Sequence, residues 1–310
     1  MNLIVVGSVG LDDVETPFGK VERALGGSAI YFSMASAFFH RPGFVGVVGT
    51  DFPAEGIRLL ERHGVDLQGL EKAPGETFRW GGRYGFDLNE RDTLFTHLNV
   101  FEHFRPSLPA DYVNARWVFL GNIDPELQLQ VLEQVSSARF VAMDTMNFWI
   151  EGKPDALRKV LGRVDALLLN DGEARQLAGV ANIVTAARKI TEMGPRLVVI
   201  KRGEYGALLY RDESFFYAPA FPIENVVDPT GAGDAFAGGF MGYLAQADDL
   251  SWEAVCQAVV AGSTLASFCV ESFSVHRMTS LEVSAISQRA QEFRRLTHFR
   301  GLEAVRSLPG

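Results

Sequence analysis

The amino-acid sequence predicts an α/β protein with a doubly wound sheet, and two observations support this. Short apolar runs rich in β-branched residues recur along the chain, and helical patterns separate most of them. Runs of this kind are typical of parallel strands that are buried on both faces. The predicted strands are Leu3–Val6, Phe44–Val48, Trp117–Leu120, Phe140–Met143, Ala166–Leu169 and Leu197–Ile200.

Helix starts and a second small sheet complete the prediction. Asp124 followed by Pro125 predicts a capped helix start, and Pro154 predicts another helix just after Gly152. Residues 77–101 carry aromatic side chains among polar residues and glycines, which predicts an antiparallel hairpin that turns at Asn89–Asp92. Residues 12–24 also alternate in part. The two segments together predict a small sheet outside the main core, a candidate lid.

Composition limits the classes of function. The chain has 310 residues, 47% hydrophobic and 22% charged, which predicts a single domain over residues 1–310. A net charge of −9 argues against a nucleic-acid partner, because binding along a phosphate polymer needs a basic patch. Cys256 and Cys269 are too few for a disulfide framework and wrongly spaced for zinc. Met1–Gly7 is too short for a signal peptide or a membrane span. We expect a cytoplasmic protein without a membrane partner.

The most informative segment is VVDPTGAGDAFAGGFMGY at 226–243, where a polar turn enters an apolar helix. Gly231, Ala232 and Gly233 have little or no side chain, so their N–H groups and the helix N-terminus can hold a phosphate. Asp234 would repel that phosphate unless its carboxylate accepts the proton of an attacking hydroxyl, which predicts phosphoryl transfer. The ordinary alternative is a plain turn with Asp234 as a helix cap.

This segment resembles the C-terminal signature of the ribokinase-like, or PfkB-type, carbohydrate and nucleoside kinases. The resemblance extends over nearly the whole chain, through the segment 25–33, the run GVVGTD at 46–51, the NDGE motif at 170–173 and KRG at 201–203. It implies a three-layer α/β/α sandwich with a β-sheet lid, ATP and Mg²⁺ as cofactors, and Asp234 as the catalytic base beside Gly231, Ala232 and Gly233.

The resemblance also implies roles for other residues. Asn170 and Glu173 would organise Mg²⁺ and water beside the phosphates, although both also fit an ordinary helix cap. Lys201, Gly203, Gly206 and Thr230 would lie on the nucleotide side. Asp12 would bind acceptor hydroxyls, with Asp13 as its rival, and Gly26 and Gly27 would let the acceptor approach the backbone. Asp228 matches a residue of the family's monovalent-cation site, so it is a candidate potassium ligand. Ser274 and His276 depart from the glycines common in the adjoining loop.

The acceptor stays open between a nucleoside and a simple sugar or sugar phosphate. Tyr31 stands where many sugar kinases of this family have asparagine. Together with Phe78, Trp80, Tyr84 and Phe86, which could stack on a base or only hold the small sheet together, it favours a nucleoside. A homodimer through the lid is the expected assembly. A catalytically silent binding protein is the other class considered, and intact Asp234, Asn170 and Glu173 disfavour it. A dehydrogenase is disfavoured because no G-x-G-x-x-G follows the first strand.

Overall fold

A nine-stranded sheet forms the centre of the molecule, which a computed structural model describes for residues 1–298. Its strand order is β13-β12-β11-β10-β9-β8-β1-β4-β5. The strands are β1 (Leu3–Val6), β4 (Pro42–Val48), β5 (Asp66–Lys72), β8 (Trp117–Leu120), β9 (Phe140–Asp144), β10 (Ala166–Asn170), β11 (Leu197–Lys201), β12 (Ala207–Arg211) and β13 (Ser214–Ala218). All neighbours pair in parallel except at the β11–β12 and β12–β13 edge, where the pairing is antiparallel.

Helices cover both faces of this sheet. They are α1 (Ser28–Ser36), α2 (Ala54–Arg62), α3 (Pro125–Gln134), α4 (Asn147–Gly152), α5 (Pro154–Leu161), α6 (Asp171–Ala178), α7 (Ile183–Thr191), α8 (Ala232–Ala247), α9 (Trp252–Cys269), α10 (His276–Thr279) and α11 (Val283–Thr297). The core is divided in two, because Leu3 and Val5 pack with α1, α8 and α9, whereas Ile4 and Val6 pack with α3, α5, α6 and α7. The predicted three-layer α/β/α sandwich is confirmed.

A separate four-stranded sheet has the order β3-β2-β6-β7, formed by β2 (Gly10–Thr16), β3 (Gly19–Gly26), β6 (Phe78–Tyr84) and β7 (Arg91–His97). β6 and β7 form the predicted antiparallel hairpin. The predicted turn at Asn89–Asp92 is wrong for Arg91 and Asp92, which already pair with Tyr84 and Arg83. The turn begins earlier, where the Asp87 carboxylate accepts a hydrogen bond from the Asn89 N–H at 2.9 Å.

Polar residues lie at the carboxyl ends of three neighbouring strands, β9, β10 and β11. The predicted core strands are all present, and β9, β10 and β11 each extend by one polar residue, Asp144, Asn170 and Lys201 respectively. These residues lie side by side at the carboxyl edge of the parallel sheet, where open α/β sheets bind ligands. Both predicted helix starts are present, and the Asp124 carboxylate caps α3 by accepting from the Glu126 N–H. No helix within residues 1–298 is long and apolar enough to cross a bilayer.

Candidate active site

The turn before α8 has a backbone that only glycine suits. The Asp228 carboxylate accepts a hydrogen bond from the Thr230 N–H at 2.8 Å, which starts the turn. Gly231 then adopts φ 75°, in the left-handed region. A Cβ at position 231 would lie 2.3 Å from the Tyr31 ring. Tyr31, predicted to bind the acceptor, therefore forms the buried floor of this turn.

The N-terminus of α8 is open. It has no side-chain cap, and within residues 1–298 the N–H groups of Gly231, Gly233 and Asp234 donate to no acceptor. The Ala232 N–H differs from its neighbours, since it donates to the Pro229 carbonyl at 3.2 Å. Free N–H groups and the positive end of a 16-residue helix are features that can bind an anion.

Asp234 lies in the first turn of α8, half-buried. Desolvation by burial, and then the negative charge of Asp144, raise the pKa of this carboxyl to about 7. Lys201 and Arg91 act in the opposite direction and lower the pKa. A carboxylate with a pKa near neutrality can accept a proton from a hydroxyl and release it later, as a general base must.

Asn170 and Glu173 form a reciprocal cap at the start of α6. The Asn170 Oδ1 accepts from the Glu173 N–H at 2.8 Å, and the Glu173 Oε2 accepts from the Asn170 N–H at 2.7 Å. The helix-cap alternative is therefore the local structure. It leaves one Glu173 oxygen for a further partner. Burial and then Asp144 raise the pKa of Glu173 to about 7, against the opposing effect of Lys201.

Lys201 and Asp144 form an ion pair with 2.6 Å between Nζ and Oδ2. Burial lowers the pKa of Lys201, but the charges of Asp144 and Glu173 outweigh it and the net pKa is raised. The prediction from sequence missed Asp144. The signal was present, since Asp144 follows a predicted buried strand just as Asn170 follows another.

Asp12 and Asp13, the two candidates for binding acceptor hydroxyls, have different surroundings in the structure. Asp12 is only 4% exposed, and burial followed by the charges of Asp228 and Asp234 raises its pKa to about 8. A Cβ on Gly26 would lie 1.8 Å from the Asp12 Oδ2, and the Gly27 backbone N–H lowers the pKa of the same carboxyl. Gly26, Gly27 and Asp12 therefore lie together.

Asp13 points away from this group. Its carboxylate pairs with Arg79 at 2.7 Å and accepts from the Arg23 N–H at 2.8 Å. Successive side chains of a strand face opposite sides, so Asp12 and Asp13 lie on opposite faces of the small sheet.

The small sheet contacts the turn through Tyr84, and Arg91 acts on the site through its charge. The Thr230 hydroxyl donates to the Tyr84 hydroxyl at 3.2 Å, so Thr230, predicted on the nucleotide side, contacts the small sheet. The Arg91 guanidinium lies 5.5 Å from the Trp80 ring centre and lowers the pKa of both Asp234 and Glu173. The prediction from sequence missed Arg91, because it assigned this residue to a turn.

The other aromatic side chains of the hairpin differ in their surroundings. Phe78 packs against Phe101 with 5.6 Å between ring centres, and Phe86 is fully exposed. Trp80 is half-buried. Of the four predicted to cover the acceptor, Tyr84 contacts Thr230 of the turn, and Trp80 lies near Arg91.

The glycines of the turn after β11 are explained by close contacts. A Cβ on Gly203, at φ 53°, would lie 1.9 Å from the Asn89 Oδ1 at the tip of the β6–β7 hairpin. A Cβ on Gly206, at φ 91°, would lie 2.1 Å from the Ala218 carbonyl oxygen. Glycine at position 206 is thus explained by packing against Ala218. Glycine at position 203 allows the tip of the hairpin to contact the predicted nucleotide side.

Asp228 is buried below the turn, and burial raises the pKa of its carboxyl. Its Oδ2 accepts from the Ser274 N–H at 3.3 Å. Ser274 adopts φ 56° in place of a glycine, and its hydroxyl donates to the Leu25 carbonyl at 2.6 Å. His276 begins α10 next to this loop. The departures noted in the sequence are accommodated by this backbone.

Comparison with known proteins identifies the family of this chain. The sequence profile of the pfkB family carbohydrate kinases matches residues 7–280. A cytidine kinase of Thermococcus kodakarensis is 35% identical over 248 residues, which cover 78% of this chain and 87% of that protein.

Solved structures show the same fold. A nucleoside kinase of Methanocaldococcus jannaschii, an archaeal member of the ribokinase family, matches with a TM-score of 0.75 at 19% identity, over 94% of this chain and 99% of that one. An Escherichia coli chain described as a candidate ribokinase II, in complex with ATP and Mg²⁺, matches with a TM-score of 0.76 at 19% identity and the same coverage. With the profile match over most of its length, this chain belongs to the pfkB family of carbohydrate kinases.

Proposed function

We propose that this protein transfers the γ-phosphoryl group of ATP to the primary hydroxyl of a nucleoside, with Asp234 as general base. One observation carries the proposal. The Asp234 carboxyl, whose pKa is about 7, directly adjoins N–H groups of an open helix start. Amides that stabilise charge on a transferred phosphoryl group, beside a base for the acceptor, are the groups that this reaction needs.

The bond changes follow from these positions. The acceptor hydroxyl gives its proton to the Asp234 carboxylate as its oxygen bonds to the γ-phosphorus. The bond from that phosphorus to the β,γ-bridging oxygen breaks, and ADP leaves. The N–H groups of Gly231, Gly233 and Asp234 bind the phosphoryl oxygens, and that of Ala232 contributes less because Pro229 already accepts from it.

Mg²⁺ fits the chemistry of the donor set beside this turn. Glu173 has a carboxylate oxygen beyond the one used in its cap, and Mg²⁺ prefers oxygen ligands and keeps several waters. In the described part of the chain, no cluster of three or more His, Cys, Asp or Glu side chains is arranged to hold a metal ion directly. Glu173, with Asn170, would therefore hold the ion through water. Bound there, it would neutralise phosphate charge. Lys201, Gly203, Gly206 and Thr230 complete the nucleotide side of the proposal.

The acceptor would lie between Asp12 and the small sheet. Asp12, beside Gly26 and Gly27, can accept hydrogen bonds from a pair of hydroxyls when ionised. Tyr31 forms the floor, and Trp80 and Tyr84 lie on the small sheet above. The related cytidine kinase and nucleoside kinase favour a nucleoside. A simple sugar or sugar phosphate is the alternative acceptor, since the family is described as one of carbohydrate kinases.

Three further features belong to the proposal. Asp228 would bind K⁺ next to the Ser274 loop, because a buried carboxylate attracts a cation. A homodimer would form through the small sheet, which acts as a lid and exposes Leu94. A cytoplasmic location would supply ATP and nucleosides.

The test is an ADP-release assay with Mg²⁺ across nucleosides, pentoses, hexoses and sugar phosphates, with and without K⁺. We expect a nucleoside to have the highest kcat/KM. Asp234→Asn is the matched control, because it keeps the size of the side chain and removes the base. If no acceptor releases ADP faster with the wild-type protein than with Asp234→Asn, the proposed function is wrong.

A further inference from the structure

A buried ion pair joins two strands that are not neighbours. Lys201 ends β11 and Asp144 ends β9, and β10 lies between them. The Lys201 Nζ and the Asp144 Oδ2 are 2.6 Å apart, and the two side chains are 17% and 7% exposed. Because neighbouring strands are about 4.8 Å apart, the lysine reaches across the end of β10 to meet the carboxylate.

The Asp144 carboxylate is itself held in place. Its Oδ1 accepts from the Thr145 N–H at 2.7 Å, so only Oδ2 is directed at the ammonium. The Asp144 carbonyl accepts from the Gln128 Nε2 at 3.1 Å, and the same amide donates to the Gly121 carbonyl at 2.9 Å. These contacts fix the carboxylate before any ligand arrives.

The ammonium has a second neighbour, the turn before α8. A Cβ on Gly233 would lie 3.1 Å from the Lys201 Nζ, so the ammonium is next to the backbone of the open helix start. A lysine ammonium has three N–H donors. Asp144 is its one hydrogen-bond acceptor within residues 1–298. The other donors are available to a phosphate at the turn.

Stability alone does not account for this pair. Burying two charges costs several kcal/mol per ion, and apolar side chains of similar volume often stabilise a fold equally well. The pair also lies at the carboxyl edge of the sheet, where ligands bind, beside Glu173 and Asp234. A role in binding explains both its burial and its place.

We propose that Asp144 is a positioning residue, whose carboxylate holds the Lys201 ammonium against the turn at 231–233 so that the ammonium binds the terminal phosphate of ATP. Asp144 touches neither the phosphate nor the acceptor. Without the carboxylate, a flexible lysine would have to lose rotamer freedom when ATP binds. This inference rests on the proposed function, since it requires the terminal phosphate to lie at this turn.

Binding measurements test the inference without any acceptor. Calorimetry with Mg²⁺ would give the affinities for ADP and for β,γ-methylene-ATP, which cannot transfer its phosphate. The affinity for β,γ-methylene-ATP divided by that for ADP measures how much the terminal phosphate contributes to binding. We expect Asp144→Asn and Lys201→Met each to reduce this ratio roughly tenfold, with no further reduction in the double variant. If no acceptor is phosphorylated but these ratios change as expected, the inference stands and the acceptor assignment fails.

Asp165→Asn is the matched control, because Asp165 precedes β10 at the opposite edge of the sheet and pairs with Arg196 at 3.3 Å. We expect it to leave the ratio unchanged. Asp144→Asn leaves a buried ammonium unpaired and can unfold the protein. The double variant removes both charges, and Asp144→Glu keeps the carboxylate on a side chain that is one methylene longer. If Asp144→Asn does not fold, the same binding measurements are made on these two variants.

Either of two results would overturn the inference. One is a folded Asp144→Asn or double variant whose ratio of affinities for β,γ-methylene-ATP and ADP equals that of the wild type. This result would overturn the inference even if the variant unfolded at a lower temperature or required more Mg²⁺. The other is a double variant that loses much more of the ratio than Lys201→Met, because Asp144 would then act independently of the lysine.

Discussion

Two helices that start at the same edge of the sheet differ in how their first N–H groups are satisfied. At α6, Asn170 and Glu173 cap the helix reciprocally, with hydrogen bonds of 2.8 and 2.7 Å. At α8 no side chain in the described part of the chain caps the start, and Gly231 turns the chain at φ 75°. The first turn of α6 has two acidic residues, Asp171 and Glu173, and that of α8 has one, Asp234; a helix N-terminus favours negative charge.

The start of α6 is capped by side chains, whereas the start of α8 has backbone N–H groups that can bind a ligand. The cap of α6 uses its own side chains, and the spare oxygen of Glu173 can attract a cation but not a phosphate. The start of α8 leaves backbone donors free, and its acidic residue is raised in pKa instead of serving as a cap. An uncapped helix start next to a carboxyl with a pKa near 7 is the local feature that indicates catalysis.

The largest effect that we expect is a difference in kcat between variants of the acidic residues of α8 and α6. Asp234→Ala should lower kcat by roughly a hundredfold or more, because a general base contributes about that much, while ATP binding is largely kept. Asp171→Ala, at the first position of α6, should stay within a few-fold of wild type. Steady-state kinetics and nucleotide calorimetry measure both. Near-normal turnover of Asp234→Ala would remove the base assignment.

A change of backbone should also distinguish the two helices. Gly231→Ala places a Cβ both in a left-handed backbone and against Tyr31, and we expect a loss of about 1–3 kcal/mol in unfolding free energy together with lower kcat. Gly179→Ala, at φ 63° after α6, meets no atom within 4 Å and adds backbone strain alone. Urea unfolding compares the two. Equal losses of stability would show that the Tyr31 contact does not matter.

Glu173→Gln tests whether Glu173 does more than cap the start of α6. Glutamine can still accept from the Asn170 N–H, so unfolding free energy should change little, but its amide lacks the charge that attracts Mg²⁺. We expect the Mg²⁺ concentration for half-maximal turnover to rise about tenfold. An unchanged Mg²⁺ requirement would leave Glu173 with the cap alone.

The smallest expected effect is a shift in pH dependence. The Arg91 guanidinium lowers the pKa of Asp234, so Arg91→Met should raise that pKa. The base then loses its proton only at higher pH, and the acidic limb of the kcat/KM profile should move upward by a few tenths of a pH unit. Arg83→Met, which removes a pair with Glu15 in the same sheet, is the control. A downward shift would contradict the sign of the effect.

Much of this molecule follows from local sequence. Buried parallel strands are continuous apolar runs, so the predicted core strands match those observed within a residue or two at each end. The turn at 228–234 is equally local, because its shape depends on adjacent glycines. The reciprocal cap of Asn170 and Glu173 also lies within four residues of chain.

The contacts that complete the site are between distant parts of the chain, and no local pattern indicates them. Lys201 and Asp144 are 57 positions apart and meet only because β9, β10 and β11 are neighbours. Arg91 reaches the site because of the register of the β6–β7 hairpin, which depends on where the turn begins. The contact of Asn89 with Gly203 likewise requires the small sheet to lie against the main one.

The assignment of Asp234 as the base beside the turn before α8 is tested most sharply by a crystal structure with Mg²⁺, ADP, the best acceptor and aluminium fluoride, which mimics a transferring phosphoryl group. From this assignment we expect fluoride within about 3 Å of the N–H groups of Gly233 and Asp234, and the acceptor hydroxyl within hydrogen-bonding distance of the Asp234 carboxylate. A fluoroaluminate bound away from the start of α8, or an acceptor hydroxyl out of reach of Asp234, would contradict it.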